Sequence, residues 1–318
     1  MRKDDSLGDE RSTLVISIPA VLLDANVYRS MPEARFATLL ESERRRQVAR
    51  YAEPFALTEL LAHLADPQDP SFGPCRQAVV RVYRRVGPGA GEPCGIIRDS
   101  ESRLAELITG KGLEKHDAHT EQLGFICAHV GLTPAGQPLE GIEQQLGAIA
   151  AHVAGVEAGF ADTIRRLQGT IGAILAEEEP EKRRQTRKNA MKTHASEALR
   201  RTIAEGLIRN VYSEAGLAVP EPLPEELVAR VRTGAAAWIE FEAQLWRKAA
   251  FDGANPEAPR IRNLRWDQRI AFNIGWTLVG RPLWLVTDDS AFAEAQAATG
   301  YRGRVHTLAA YERWLTTP

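Results

Sequence analysis

The stretch from Leu14 to Leu23 is rich in Leu, Val and Ile at consecutive positions, interrupted by Ser17 and Pro19. Such a run predicts a strand buried on both faces from about Ala20, the kind found in parallel sheets flanked by helices. Helical periodicity then covers Ala34 to Arg50, Phe55 to Ala65 and Gly73 to Val86. In the last of these, Val79, Val82 and Val86 share one face, and Arg81, Arg84 and Arg85 take another. The GPGAGEPCG stretch, Gly87 to Gly95, breaks the pattern. No Lys-Ser/Thr follows it and prolines interrupt it, so it predicts a linker and not a phosphate cradle.

From about Asp99 to Gly253 the pattern is helical throughout. Its clearest stripe is Ile142, Leu146, Ile149, Val153, Val156, Phe160, Ile164, Leu167, Ile171 and Ile174, at steps of three or four. Pro180 then leaves two alternatives, a turn between two helices or one helix with a kink. A further amphipathic helix is expected over Glu225 to Lys248. After a second linker, Asp252 to Pro259, strand and helix alternate again. Asp267 to Val279 reads as helix, Leu283 to Thr287 as a buried strand and Ser290 to Ala298 as helix. Arg304 to Thr307 predicts a short strand, and Leu308 to Leu315 a closing helix.

Composition narrows the class. The 318 residues are 44% hydrophobic and 26% charged, with a net charge of −2, so no global field draws the chain to polyanions. Cys75, Cys94 and Cys127 are sparse and contain no CxxC, which argues against a disulfide framework and fits a reducing, cytoplasmic setting. The polar start, Met1 to Ser12, lacks the apolar core of a signal peptide, and no run of about 18 apolar residues offers a membrane span.

The candidate chemistry is carboxylate chemistry. Asp24 directly follows one buried strand and Asp289 closely follows another. Ligands of open parallel sheets gather at such carboxyl ends. Glu59 lies in ALTELLAHL and Asp267 in WDQRIAFNIG, each within an apolar helical context. Hard oxygen ligands of this kind suit Mg2+ or Mn2+, which can activate water for phosphodiester hydrolysis.

In these residues the chain resembles the PIN-domain family. The opening strand into LLDANVY, the Glu of ALTELLAHL, the Asp of WDQRIAFNIG and the T-x-D-x-x-F of LVTDDSAF stand in the family's order. The closing VHTLAAYERWL also fits. The resemblance implies a three-layer α/β/α fold with a mainly parallel sheet, assembled from residues 13–86 and 259–318 and split by an all-helical insertion, 87–258. It makes Asp24, Glu59, Asp267 and Asp289 the metal-binding acidic quartet, with Asn26 and Thr287 as supporting residues and Asp288 as a substitute ligand. Implied with it are endonucleolytic cleavage of RNA, a toxin or defence setting, and an antitoxin or other protein partner on the insertion. A homodimer is compatible with it. The departure from the family is the insertion, about half the chain, which stands between Glu59 and Asp267.

Each residue also has a plainer reading. Asp24, Asp267 and Asp289 can be helix N-caps, and Glu59 a surface residue. Arg260, Arg262 and Arg265 precede Asp267 and are expected to steer phosphates. The basic run from Lys182 to Lys192 lacks interleaved aromatics for base stacking, which leaves a solvated face and RNA contact both open. His116 and His119 have HxxH spacing without a third ligand nearby in sequence, so they too read as a solvated face. Alternatives for the whole chain are a structure-specific DNA nuclease of the flap type, whose helical arch also interrupts the fold, and an inactive PIN scaffold that binds a protein.

Overall fold

Ala20–Leu23 form β1, fully buried as a run of consecutive apolar side chains requires. The structure, a computed structural model, describes residues 18–87, 95–192, 196–251 and 255–317. Leu14 to Ser17, residues 88–94 of the first linker (Cys94 among them) and residues 252–254 of the second lie outside the described residues. After β1 come α1 (Ala25–Ser30), α2 (Glu33–Arg45), β2 (Ala49–Tyr51), α3 (Pro54–Ala62) and α4 (Phe72–Val86). A helical block follows: α5 (Ser100–Thr109), α6 (Glu114–Leu132), α7 (Glu143–Ala176), α8 (Pro180–Lys192), α9 (Glu197–Glu214), α10 (Glu225–Gly234) and α11 (Ala236–Phe251). The chain closes with α12 (Pro259–Ala271), β3 (Thr277–Leu278), β4 (Arg281–Val286), α13 (Ser290–Thr299), β5 (Val305–His306) and α14 (Leu308–Thr316).

The fold is α/β with a small, mainly parallel sheet in the order β2-β1-β4-β3. β1 pairs in parallel with β2 and β4, and β5 pairs in parallel with the end of β4. Only β3 runs antiparallel. The β1–β4 pair joins the two ends of the chain in the register Ala20 with Leu283 through Leu23 with Val286. That register sets Asp24 beside Thr287 at the carboxyl ends of neighbouring strands.

Several sequence expectations are corrected. The helix expected to reach Arg50 ends at Arg45, and Gln47 turns the chain at φ 54° into β2. Ala-Arg-Tyr is too short and too polar to show strand alternation. The edge of the sheet extends further: the Ala52 amide donates to Gly95 O at 2.8 Å and the Ile97 amide to Ala52 O at 3.0 Å. The insertion therefore leaves the sheet after Ile97 and not at Gly87. From Ser100 to Phe251 the described residues contain no strand.

At Pro180 the turn is realised. α7 stops at Ala176, Pro180 opens α8, and Arg183 donates through Nη2 to the carbonyls of Ala176 and Glu178. The helix expected over 225–248 is two helices that meet at Ala235. Gly234 passes close to Leu107, where a Cβ would stand 2.7 Å from Leu107 Cδ2.

The arginine face of α4 is also corrected. Arg81 and Arg85 are buried, and Arg85 forms a fully enclosed ion pair with Glu43 at 2.8 Å. The Tyr311 hydroxyl donates to the same Glu43 oxygen at 2.8 Å, and Arg85 reaches the Val21 and Tyr51 carbonyls. A charge inside a core is tolerable only with such complete pairing. The network fastens α2, α4 and α14 to the sheet. The helical block divides between two cores. α6 and much of α7 share the core of the sheet, whereas α5, α9 and α10 build a second cluster with Trp238 and Phe272. No described helix is long and apolar enough to cross a membrane.

Candidate active site

Asp24 ends β1 with its backbone amide donating to Val286 O at 3.0 Å. It stands at the N-cap position of α1, yet its carboxylate makes no cap hydrogen bond. Instead Oδ2 accepts from the buried Thr287 hydroxyl at 3.0 Å. The same hydroxyl accepts from the Asp289 amide at 3.1 Å, so one threonine fixes both strand-end acids. Asp24 is 5% exposed. Burial pushes its carboxyl above the ordinary value, the Thr287 hydroxyl pulls back, and Asp289 pushes it further up.

Asp289 does cap a helix: its Oδ1 accepts from the Ala291 amide at 2.8 Å at the start of α13. Asp288 turns the other way, as neighbours in an extended segment do, and accepts from the Leu308 amide at 3.1 Å. That bond holds the start of α14. Asp288 flanks the adjoining surface pocket beside Asn26.

Glu59 lies on α3 with a quarter of its side chain exposed, and Arg29 approaches its Oε1 at 3.5 Å. Arg29 in turn donates to Asn26 Oδ1 at 2.5 Å. Burial raises the Glu59 carboxyl, Arg29 lowers it, and Asp24 raises it again. Asp267 is not an N-cap, because α12 starts at Pro259 and places Asp267 in its third turn. There burial first, then Asp24, Asp289 and Glu59, push its carboxyl from 3.8 up to about 8.

The four acids line one pocket of about 380 Å³, together with Asn26. Sequence reading missed two charged residues on its wall, Glu294 of α13 and Lys248 of α11. Glu294 is spaced at helical intervals from Ser290 and Ala291, which was a usable signal once Asp289 was chosen. Lys248 carried none, since it belongs to the helical block and reaches the pocket through tertiary packing. Among the described residues, three ligand atoms within 4.8 Å of one another occur only at Asp99, Glu101 and His116. In the quartet, no three ligand atoms come that close.

Arg262 and Arg265, ahead of Asp267, do not line this pocket. Arg262 pairs with Glu157 at 3.1 Å. Arg265 donates to Gln268 at 2.7 Å, lies over the Phe160 ring and lines a separate pocket. The side chain of Arg260 lies outside the described residues. The cause is helical: one turn of α12 sends Asp267 to one side and Arg265 and Arg269 to another. His116 is likewise not on a solvated face, being surrounded by Asp99, Glu101 and Glu214.

Compared with known proteins, the chain matches no family model, no curated protein and no solved structure.

Proposed function

We propose that this chain is a metal-dependent nuclease of PIN type that hydrolyses RNA endonucleolytically, with Asp24, Glu59, Asp267 and Asp289 as its acidic site. One observation carries the reading. Four carboxylates, from two strand ends and two helices, line a single pocket, and burial together with the charges of the other three pushes the Asp267 carboxyl up to about 8. Crowded like charges destabilise an apo protein, so such a cluster is hard to explain by folding alone. All-oxygen donors fit Mg2+ or Mn2+ better than softer metals.

The residues divide the work. Thr287 holds Asp24 and Asp289 in register, and Arg29 orients Glu59 and offsets part of the burial that raises its carboxyl. Asp24 and Asp289 present oxygen ligands from a rigid sheet edge, while Glu59 and Asp267 close the pocket from α3 and α12. Lys248 supplies a positive charge on the wall where a phosphate would enter. A bound Mg2+ or Mn2+ would polarise the phosphoryl oxygen and lower the pKa of an attacking water. The PIN resemblance supports a three-layer α/β/α arrangement and RNA as substrate, and it brings with it a toxin or defence role with a protein partner.

The test is cleavage of RNA, linear DNA and branched DNA by the purified chain, with Mn2+, Mg2+ or chelator. Metal-dependent internal cuts in RNA are expected. Preference for branched DNA would instead favour the flap-type nuclease, and no cleavage of any substrate would favour an inactive scaffold.

A further inference from the structure

The helical block holds a cleft that the acidic site does not use. α7 and α9 both pack on α11, and a cleft of about 520 Å³ is lined by all three, with α5 and α12 completing it. That size falls in the about 300–1,000 Å³ range of small-molecule sites.

One wall is bare backbone. Gly155 and Gly159, one turn apart within α7, both line the cleft. Glycine weakens a helix interior relative to alanine, and a Cβ at either position would meet nothing within 4 Å. Packing within the chain therefore gives no reason for either glycine, whereas a flat ligand laid on that face does. Phe160, Leu207, Trp238 and Leu245 add apolar and aromatic surface to the same cleft.

The cleft is also short of negative charge. Arg265 lines it, donates through Nη1 to the neutral Gln268 side chain at 2.7 Å and lies over the Phe160 ring. Among the described residues it forms no ion pair. Burial, and then the neighbouring Arg269, pull the Arg265 side chain down to about 10. Arg269, 6% exposed, gives Nε and Nη2 to Glu101 at 2.7 and 2.5 Å, and its Nη1 has no hydrogen-bond partner. The other acids on the wall are engaged elsewhere. Glu242 accepts from Trp238 Nε1 at 3.1 Å and from Gln268 Nε2, and the exposed Glu214 pairs with Lys115 and His116. Two neighbouring guanidinium groups with one ion pair between them suit a bound anion.

We propose that this cleft binds a small planar aromatic anion, with its ring system on the bare Gly155–Gly159 face of α7 and its charged group on Arg265. Arg265 and Arg269 stand on either side of Asp267 in α12, so the ligand docks on the helix that also carries an acid of the candidate nuclease site. Binding itself does not depend on the nuclease reading.

The probes are anilinonaphthalenesulfonate, an aromatic anion that fluoresces in apolar surroundings, and phenylnaphthylamine, the same ring system without the sulfonate. Titrated into the full chain, the anion should fill one saturable site. Arg265→Gln should weaken the anion at least about tenfold and leave the neutral dye unchanged. Gly159→Leu, which fills the open face of α7, should weaken both dyes while the melting temperature holds or rises. Competition by adenosine monophosphate or by naphthoate then tells a phosphate from a carboxylate as the anionic group. An anion affinity unchanged by Arg265→Gln overturns the proposal. So does dye binding that survives Gly159→Leu, or displacement by neither competitor. A lowered melting temperature in Gly159→Leu also counts against it, because that face would then be packed and not open.

Discussion

Replacing Asp267 by Asn should make the metal-free protein less sensitive to pH. The unfolded chain releases the Asp267 proton near its ordinary value of 3.8, whereas the folded protein holds it to about 8. Folding therefore takes up a proton across that window, and stability falls as pH rises through it. About four units at about 1.4 kcal/mol each set a ceiling of roughly 5–6 kcal/mol. Asp24 and Glu59 are raised as well, so the groups share the repulsion, and a realised effect of ~1–3 kcal/mol is expected. Asn has no proton to take up. Its advantage over Asp should grow from about pH 4 to about pH 8, by at most about 1.4 kcal/mol per unit, and then level off. Urea denaturation with chelator at about pH 5, 7 and 9 measures it, and a constant packing loss would shift all three points equally. Stability curves that stay parallel across this range would refute the claim that Asp267 is crowded by the other three acids.

Other expectations follow from the same geometry. Glu43→Gln leaves Arg85 buried without its counter-charge, so chemical denaturation should show a loss of ~3–5 kcal/mol with the fold otherwise two-state. A loss under about 1 kcal/mol would mean that water reaches the pair. Thr287→Val removes the hydroxyl that links Asp24 to the Asp289 amide and should cost ~1–3 kcal/mol, with weaker Mn2+ binding by calorimetry. Unchanged Mn2+ affinity would show that the strand ends alone set the acids. Lys248→Gln should weaken RNA binding and reduce its salt slope by about one unit while leaving Mn2+ affinity intact. An unchanged slope would remove Lys248 from the substrate path.

The sheet strands that carry the site were legible because buried parallel strands are written as consecutive apolar residues, as in Val21 to Leu23 and Leu283 to Val286. Asp24, Thr287 and Asp289 could be placed from that pattern alone, since a strand end fixes where the next side chain goes. Asp267 was placed with the right partners but the wrong helix geometry, because Pro259 to Arg265 resembles a charged linker and yet forms two turns. The same error made Arg262 and Arg265 look like neighbours of the acids. Helical phase, which sequence shows only when the start is known, sends them elsewhere. His116 was read as solvated, and Arg85 only as one of an arginine face, because their partners, Glu214 and Glu43, are remote in sequence. Charges paired over such distances leave no local periodic trace.

The acidic site itself is tested most directly by Asp24→Asn, assayed for RNA cleavage and for the rise in melting temperature given by Mn2+. An amide is a poor ligand for a hard cation, so cleavage should disappear and the Mn2+-induced rise should shrink. The metal-free fold should remain at least as stable, since a buried charge among like charges is gone. Asn serves a helix N-cap about as well as Asp. Full metal-dependent cleavage by Asp24→Asn, with the Mn2+ response of the parent chain, would contradict the assignment.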